Sequence, residues 1–238
     1  MSRLAQLRKS DGFTLTELVI GMALGMIVLL AAFTVVDRSF FNNKAIADRQ
    51  DSLQRGRNML EQMTRQLRSL VCVNTTNAVT AADDNSISFY TYMGDPTNAS
   101  NQLPEWHSLA FSGSTLTEQD YKVTATSPSI TTASTPYRTV KLTNVFLATD
   151  PTDGSTIPFF RYYKYDPAQK GTGAMIKLTT PVVSAQDQGL LADIKISFVV
   201  RPTGVKTATP QAVTYADDVL WRSPDPDNPA TVPCAPNS

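Results

Sequence analysis

The sequence predicts an α+β protein: a long N-terminal α-helix, apolar in its first half and amphipathic in its second, packed on an antiparallel β-sheet head. Three observations carry this. No charged side chain lies between Leu18 and Val36, which meets the requirement of roughly 18 apolar residues for a helix crossing a ~30 Å hydrocarbon core. No proline precedes Pro96, and all 15 prolines lie from there to Pro236, so nothing obliges a helix break before the head. From Val73 onward the hydrophobic period changes from helical to two, with Thr, Ser, Asn and Asp becoming frequent.

Residues 1–12 hold Arg3, Arg8 and Lys9 against Asp11. This positive excess ahead of an apolar run keeps that end cytoplasmic by the positive-inside rule and places the head across the membrane. A secretory signal has an apolar core of only about 7 to 15 residues before a small-residue cleavage site. Here the run is longer and continues into Asp37, Arg38 and more helix. A plain uncleaved anchor explains the length, but not the Gly12-Phe13-Thr14-Leu15-Thr16-Glu17 at its cytoplasmic edge. Glu17 is the one ionisable group from Phe13 to Val36, and a carboxylate at that depth costs on the order of 2.5 kcal/mol or more unless paired.

The stretch GFTLTELVIGMALG, Gly12 to Gly25, closely resembles the cleavage and methylation signature of type IV pilins and type II secretion pseudopilins. The resemblance implies a pilin-like fold and a set of roles. Residues 1–12 would be a leader removed by prepilin peptidase after Gly12, Phe13 the new N-terminus that is N-methylated, and Glu17 the carboxylate used in subunit assembly. It also implies partners: the peptidase/N-methyltransferase, other minor pilins and the major pilin, an inner-membrane assembly platform, and membrane lipid before assembly. The motif covers about residues 8 to 36 and says little about the head. Gly21 and Gly25 form a G-x-x-x-G that lets membrane helices approach closely, although small residues are common in such helices anyway.

With 13–36 as the membrane half, residues 37–72 form the amphipathic half. Ile46, Leu53, Leu60 and Leu67 recur every seven residues, and Met63 and Leu70 follow the last two by three, giving one apolar stripe. At 1.5 Å per residue, a helix from Phe13 to Val71 would reach roughly 88 Å. Gly56 interrupts the stripe at a cost of about 1 kcal/mol or a bend. Arg38, Lys44, Arg49, Arg55, Arg57, Arg65 and Arg68 outnumber Asp37, Asp48, Asp51 and Glu61. No aromatic platform is interleaved with them, so the reading is a solvated face and not a nucleic-acid surface. The whole chain has a formal net charge of +0 and the head an acidic excess, which opposes phosphate binding.

The head, 73–238, is long enough for one domain of ordinary size. Strands are expected at Ile87–Tyr92, Thr139–Thr143, Phe159–Tyr165, Met175–Thr179 and Ile194–Val200, with Ile194, Ile196, Phe198 and Val200 facing the core and Lys195 and Ser197 outward. Asp95-Pro96, Asp150-Pro151, Asp153-Gly154, Asp166-Pro167 and Pro202-Thr203-Gly204 punctuate them as turns. Phe159-Phe160-Arg161-Tyr162-Tyr163 and the late strand ahead of a C-terminal tryptophan region resemble large minor pilins and J-type pseudopilins.

No catalytic constellation is legible. His107 is the one histidine, which excludes a two-histidine metal site and points to a satisfied structural or surface group. Asp150 to Ser155 lacks the alternating carboxylates and distant glutamate of a calcium loop and reads as a turn, and Gly171-Thr172-Gly173 reads the same way. No cofactor, metal or enzyme activity is assigned. Cys72 and Cys234 are the two cysteines. In an exported head an even count favours their pairing, with two separate thiols as the alternative. The sequence therefore reads as a minor pilin or pseudopilin in the bacterial cytoplasmic membrane, with its N-terminus in the cytoplasm, that joins or primes a filament near its tip. The alternative is a membrane-anchored binding or adhesion protein whose β head recognises a surface or DNA.

Overall fold

A computed structural model describes residues 14–92, 103–127, 129–182, 184–202, 212–221 and 224–234. Helix α1 runs from Leu15 to Arg68, ending on Arg65 and Arg68 in its last turn, where cations complement the helix dipole. Two compact units divide it, residues 1–48 and 49–238. In the first unit, the helix from Leu15 to Val36 is exposed along its large apolar side chains and is long and apolar enough to cross a membrane.

The second unit holds two antiparallel sheets. The first contains β1 (Val79–Asp83), β2 (Ser86–Thr91), β3 (Glu105–Ser112) and β4 (Thr115–Ala125) in that order, with β5 (Thr131–Thr132) and β6 (Arg138–Thr143) both pairing with β4. The second begins with β7 (Val145–Phe146). After the small ladder of β8 (Ala148–Thr149) and β9 (Thr156–Ile157), it continues with β10 (Phe160–Tyr165) and β11 (Met175–Lys177). The short helix α2 (Ala185–Gly189), N-capped by Ser184, precedes β12 (Leu191–Val200) and β13 (Val213–Leu220). The order is β11-β10-β12-β13, with β7 also on β12. Gly113, at φ +62, serves the two-residue turn between β3 and β4, where a positive φ matches the twist of the hairpin.

One core joins the two sheets and the second half of α1. Met59, Met63 and Leu67 of the helix pack with Phe89, Leu109, Phe159, Phe160, Tyr162, Ile196 and Phe198. Phe159 and Phe198 stack with ring centroids 5.2 Å apart, and the Tyr162 hydroxyl donates to the carbonyls of Asp83 and Ser86, 2.9 and 3.0 Å away. That bond ties β10 to the β1–β2 turn and satisfies the one polar atom of a buried ring.

The expected strands are present, and three long ones were not anticipated: β3, β4 and β13. In β4 the inward positions run Leu116, Glu118 and Asp120, while Val123 is buried on the other face with Val73 and Tyr90, so two buried charges interrupt the apolar alternation that marks a strand. The buried stripe of α1 also differs from expectation. Ser52, Gly56, Met59, Met63 and Leu67 face inward, whereas Ile46 and Leu53 are exposed, because a strict seven-residue repeat drifts around a straight helix of 3.6 residues per turn. Ser197 corrects the expectation for β12: it is buried, and its Oγ accepts a bond from Arg161 Nη2 at 3.0 Å. The Asp95-Pro96 turn and the Thr203-Gly204 part of the later turn lie outside the described residues.

Gly56 is a hole for a knob. A Cβ there would stand 2.4 Å from the ring of Tyr215, which is stacked on Phe198 and donates its hydroxyl to the carbonyl of Leu53 at 2.7 Å. Alanine favours an exposed helix by about 1 kcal/mol over glycine, yet here the ring would have to abandon both contacts. Gly56→Ala is expected to destabilise the head by about 1–3 kcal/mol, read as a lower thermal midpoint. A raised midpoint would mean that Tyr215 yields freely.

Asp193 on β12 is a second pressure point. Its carboxylate is buried, Oδ1 has no hydrogen-bond partner, and Lys195 Nζ is 4.0 Å away. Burial first, and then Asp218, push its pKa above the ordinary carboxylate value. The folded state therefore holds this proton more tightly than the unfolded chain, and stability is lost as pH rises through the folded pKa. Asp193→Asn should be more stable than the parent at pH 7. The two denaturation midpoints should converge as pH falls below the carboxylate range.

Candidate functional site

Helix α1 starts with a reciprocal cap. Thr14 Oγ1 accepts from the Glu17 backbone N–H at 3.3 Å, while the Thr14 backbone N–H donates to Glu17 Oε2 at 3.2 Å. This is a capping box of the T-x-x-E form, which satisfies two otherwise orphaned donors of the first turn. Glu17 thus has a local structural partner as well as any intermolecular one. The T-x-x-E spacing is itself the sequence signal for this cap. Gly12 and Phe13 lie outside the described residues.

Among the described residues, a dense polar constellation lies inside the head, on the helix-facing side of the first sheet. Strand register lines up Phe89, His107, Asp120 and Arg138 across β2, β3, β4 and β6. Phe89 stacks on the His107 ring with centroids 5.5 Å apart. His107 Nδ1 lies 2.7 Å from Asp120 Oδ1, and Nε2 is 2.9 Å from Thr91 Oγ1 and 3.6 Å from Glu105 Oε2. Arg138 Nη1 donates to Asp120 Oδ2 at 2.6 Å and to Glu118 Oε1 at 3.3 Å. From the helix, one turn apart, Gln62 and Gln66 donate their amides to the two oxygens of Glu118.

Burial by itself would raise the Asp120 pKa, but hydrogen bonds from His107 and Arg138, with their charges, outweigh it and hold the carboxyl below its ordinary value. Tyr137, next to Arg138, is shifted the other way: burial first, then a hydrogen bond to Glu105, raise its pKa well above that of a free phenol.

Thr91, His107 and Asp120 have the order of a hydroxyl–imidazole–carboxylate relay. A nucleophile must be reachable by its substrate, and Thr91 is 0% exposed; this hydroxyl is sealed in the core. The histidine is buried and satisfied, as the sequence reading anticipated. Its company was not anticipated: His107, Glu118 and Asp120 offer ligand atoms that lie within 4.8 Å of one another. The available signal was the Glu118-x-Asp120 spacing, which puts two carboxylates on the same face of a strand as Leu116.

Cys72, just past the end of α1, and Cys234 are joined by a disulfide over a sequence separation of 162. The tail leading to Cys234 is held along its length. Pro226 accepts from the Gly171 N–H at 2.9 Å, and Val232 covers Gly189, where a Cβ would approach within 2.4 Å.

The family model for the prokaryotic N-terminal methylation motif matches residues 7–33. This chain carries a prepilin-type N-terminus. No curated protein matches the sequence. Among solved structures, a chain in the crystal structure of the GspK-GspI-GspJ complex from the type 2 secretion system of enterotoxigenic Escherichia coli is similar with a TM-score of 0.42 at 13% identity. The match covers 73% of this chain and 99% of that one.

Closing so long a loop is worth on the order of 5 kcal/mol in the chain-entropy account of cross-links. Peptide mapping of the unreduced protein is expected to yield a linked pair containing Cys72 and Cys234. Two alkylatable thiols after purification under oxidising conditions would reject the bridge.

Proposed function

We propose that this protein is a minor pilin or pseudopilin: a structural subunit held in the bacterial cytoplasmic membrane by the first half of α1, with its head outside, and then incorporated near the tip of a filament. The observation that carries the reading is the methylation motif over residues 7–33 running directly into an uncharged helix. Prepilin peptidase would cut after Gly12, and Phe13 would become the methylated N-terminus. The assembly platform, other minor pilins and the major pilin are the partners this implies.

Glu17 is the docking group in this reading. Its partner would be the freed α-amino group of the subunit already in place. An axial offset leaves both ions unpaired in apolar surroundings, where removing one partner of a buried pair costs roughly 3 to 5 kcal/mol. A subunit that keeps this glutamate is equipped to dock beneath another, so its place is close to the tip without being outermost.

The capping box makes the charge separable from the helix start. Glutamine serves the same capping position but carries no charge, whereas valine provides neither. Co-expressed with a prepilin peptidase, the parent should shorten by its 12-residue leader and Gly12→Val should not. Glu17→Val and Glu17→Gln should both be cleaved and inserted, and both should lose co-purification with partner minor pilins. Rescue by glutamine would reduce Glu17 to a cap and remove the basis for docking. A parent whose N-terminus stays intact beside an active peptidase would sink the assignment, and one that remains in membranes after filaments are sheared off would favour an anchored receptor.

A further inference from the structure

We infer that His107, Glu118 and Asp120 form a binding site for one divalent transition-metal ion, with the amide oxygen of Gln66 as a neutral fourth ligand. The three donors share one face of β3 and β4, His107 directly opposite Asp120 and Glu118 two residues before it, and are at most 2% exposed. Two carboxylates match the charge of a dication, and Arg138, which pairs with both of them, would give up its longer contact to Glu118. The donor set of one imidazole nitrogen with carboxylate and amide oxygens suits an ion of the zinc or manganese type, while calcium and magnesium favour six or more oxygens.

Gln66 is the second observation. It is 2% exposed, its Oε1 has no hydrogen-bond partner, and its amide nitrogen lies against Glu118 and 3.4 Å from His107 Nδ1. A buried amide oxygen left unpaired is destabilising by about 1–3 kcal/mol. A half-turn of the amide exchanges oxygen for nitrogen and would bring Oε1 to His107 Nδ1 and Glu118, where a cation bound between them offsets the repulsion between the amide oxygen and the carboxylate. The same ion would then pair with that oxygen and tie the helix to the sheet.

The histidine is oriented for this. With Nδ1 on the ion, its Nε2–H would donate to Thr91 Oγ1 and toward Glu105, the outer hydrogen bonding that fixes ligating imidazoles. Arg138 holds Asp120 by Oδ2, leaving Oδ1 for the ion, and its 43% exposed side chain forms the solvent edge through which an ion would enter. Tetrahedral ligands at about 2.0–2.1 Å stand about 3.3 Å apart, so the 2.7 Å contact between His107 and Asp120 has to open by roughly half an ångström and the wider separations, within 4.8 Å, have to close by up to about 1.5 Å.

This inference does not depend on the filament reading. The test uses the untagged full chain in detergent, since a polyhistidine tag would mask the one histidine. After chelator treatment, the protein is titrated with Co²⁺, followed by its visible absorption, and separately loaded with Zn²⁺ and passed through gel filtration. One Zn²⁺ per chain, a Co²⁺ spectrum displaced by Zn²⁺ but not by Ca²⁺, and a higher thermal midpoint with metal are expected. His107→Gln and Asp120→Asn should each weaken Co²⁺ binding at least about tenfold, while Asp193→Asn, a buried carboxylate in the other sheet, should leave it unchanged. Parent protein that retains no metal, binding that survives in His107→Gln, or displacement by Ca²⁺ would each overturn the site. If a variant fails to fold, by its helical circular dichroism, the stoichiometry and spectrum of the parent still decide.

Discussion

The helix α1 has to be stable in two surroundings, and most of the structure follows from that. From Leu18 to Val36 its side chains carry no charge, and Thr34 turns its hydroxyl back onto the carbonyl of Ala31, which suits a helix long and apolar enough to cross a membrane. From Arg49 onward only one face is apolar, and Met59, Met63 and Leu67 insert it into the core of the head. Both sheets supply that core, so they are positioned by the helix as much as by each other. Removing the helix face would take Met59, Met63 and Leu67 out of that core. The head is therefore defined from Arg49 and includes the last five turns of the helix.

Where α1 meets the first sheet, apolar contact gives way to a polar contact. Gln62 and Gln66 on one helix face reach Glu118, and the cross-strand ladder of His107, Asp120 and Arg138 closes around it. Buried charges of this kind add little net stability over a hydrophobic packing of the same shape, but removing one partner is severely destabilising. Their value is geometric. A sheet slipped by one residue against the helix would bury these carboxylates with no donors, so the network sets the rotation and register of the helix.

The far end of the head is closed differently. The tail beyond Trp221 crosses to α2 and returns to the end of α1, where Cys234 meets Cys72. In that position the disulfide links the helix to the last described part of the chain, across nearly the whole head, and acts mainly by restricting the unfolded ensemble.

The sequence by itself determined the class of the protein, the helix, and the processing motif, because each depends on local order: an uncharged run, a proline-free stretch, and a contiguous signature from Gly12 to Glu17. It also determined β2, β6, β10, β11 and most of β12, whose apolar alternation needs no partner to be seen. Tertiary structure decided the rest. Strands β3, β4 and β13 carry His107, Glu118, Asp120 and Asp217 at partly or fully buried positions, where period-two hydrophobicity fails and only donors from a distant helix or strand make burial tolerable. The inward face of α1 was settled by Tyr215 seated over Gly56, a fit between residues far apart in the chain. A site made of one histidine and two carboxylates is likewise invisible in one dimension, because it exists only when β3 and β4 pair in this register and α1 brings Gln66 to them.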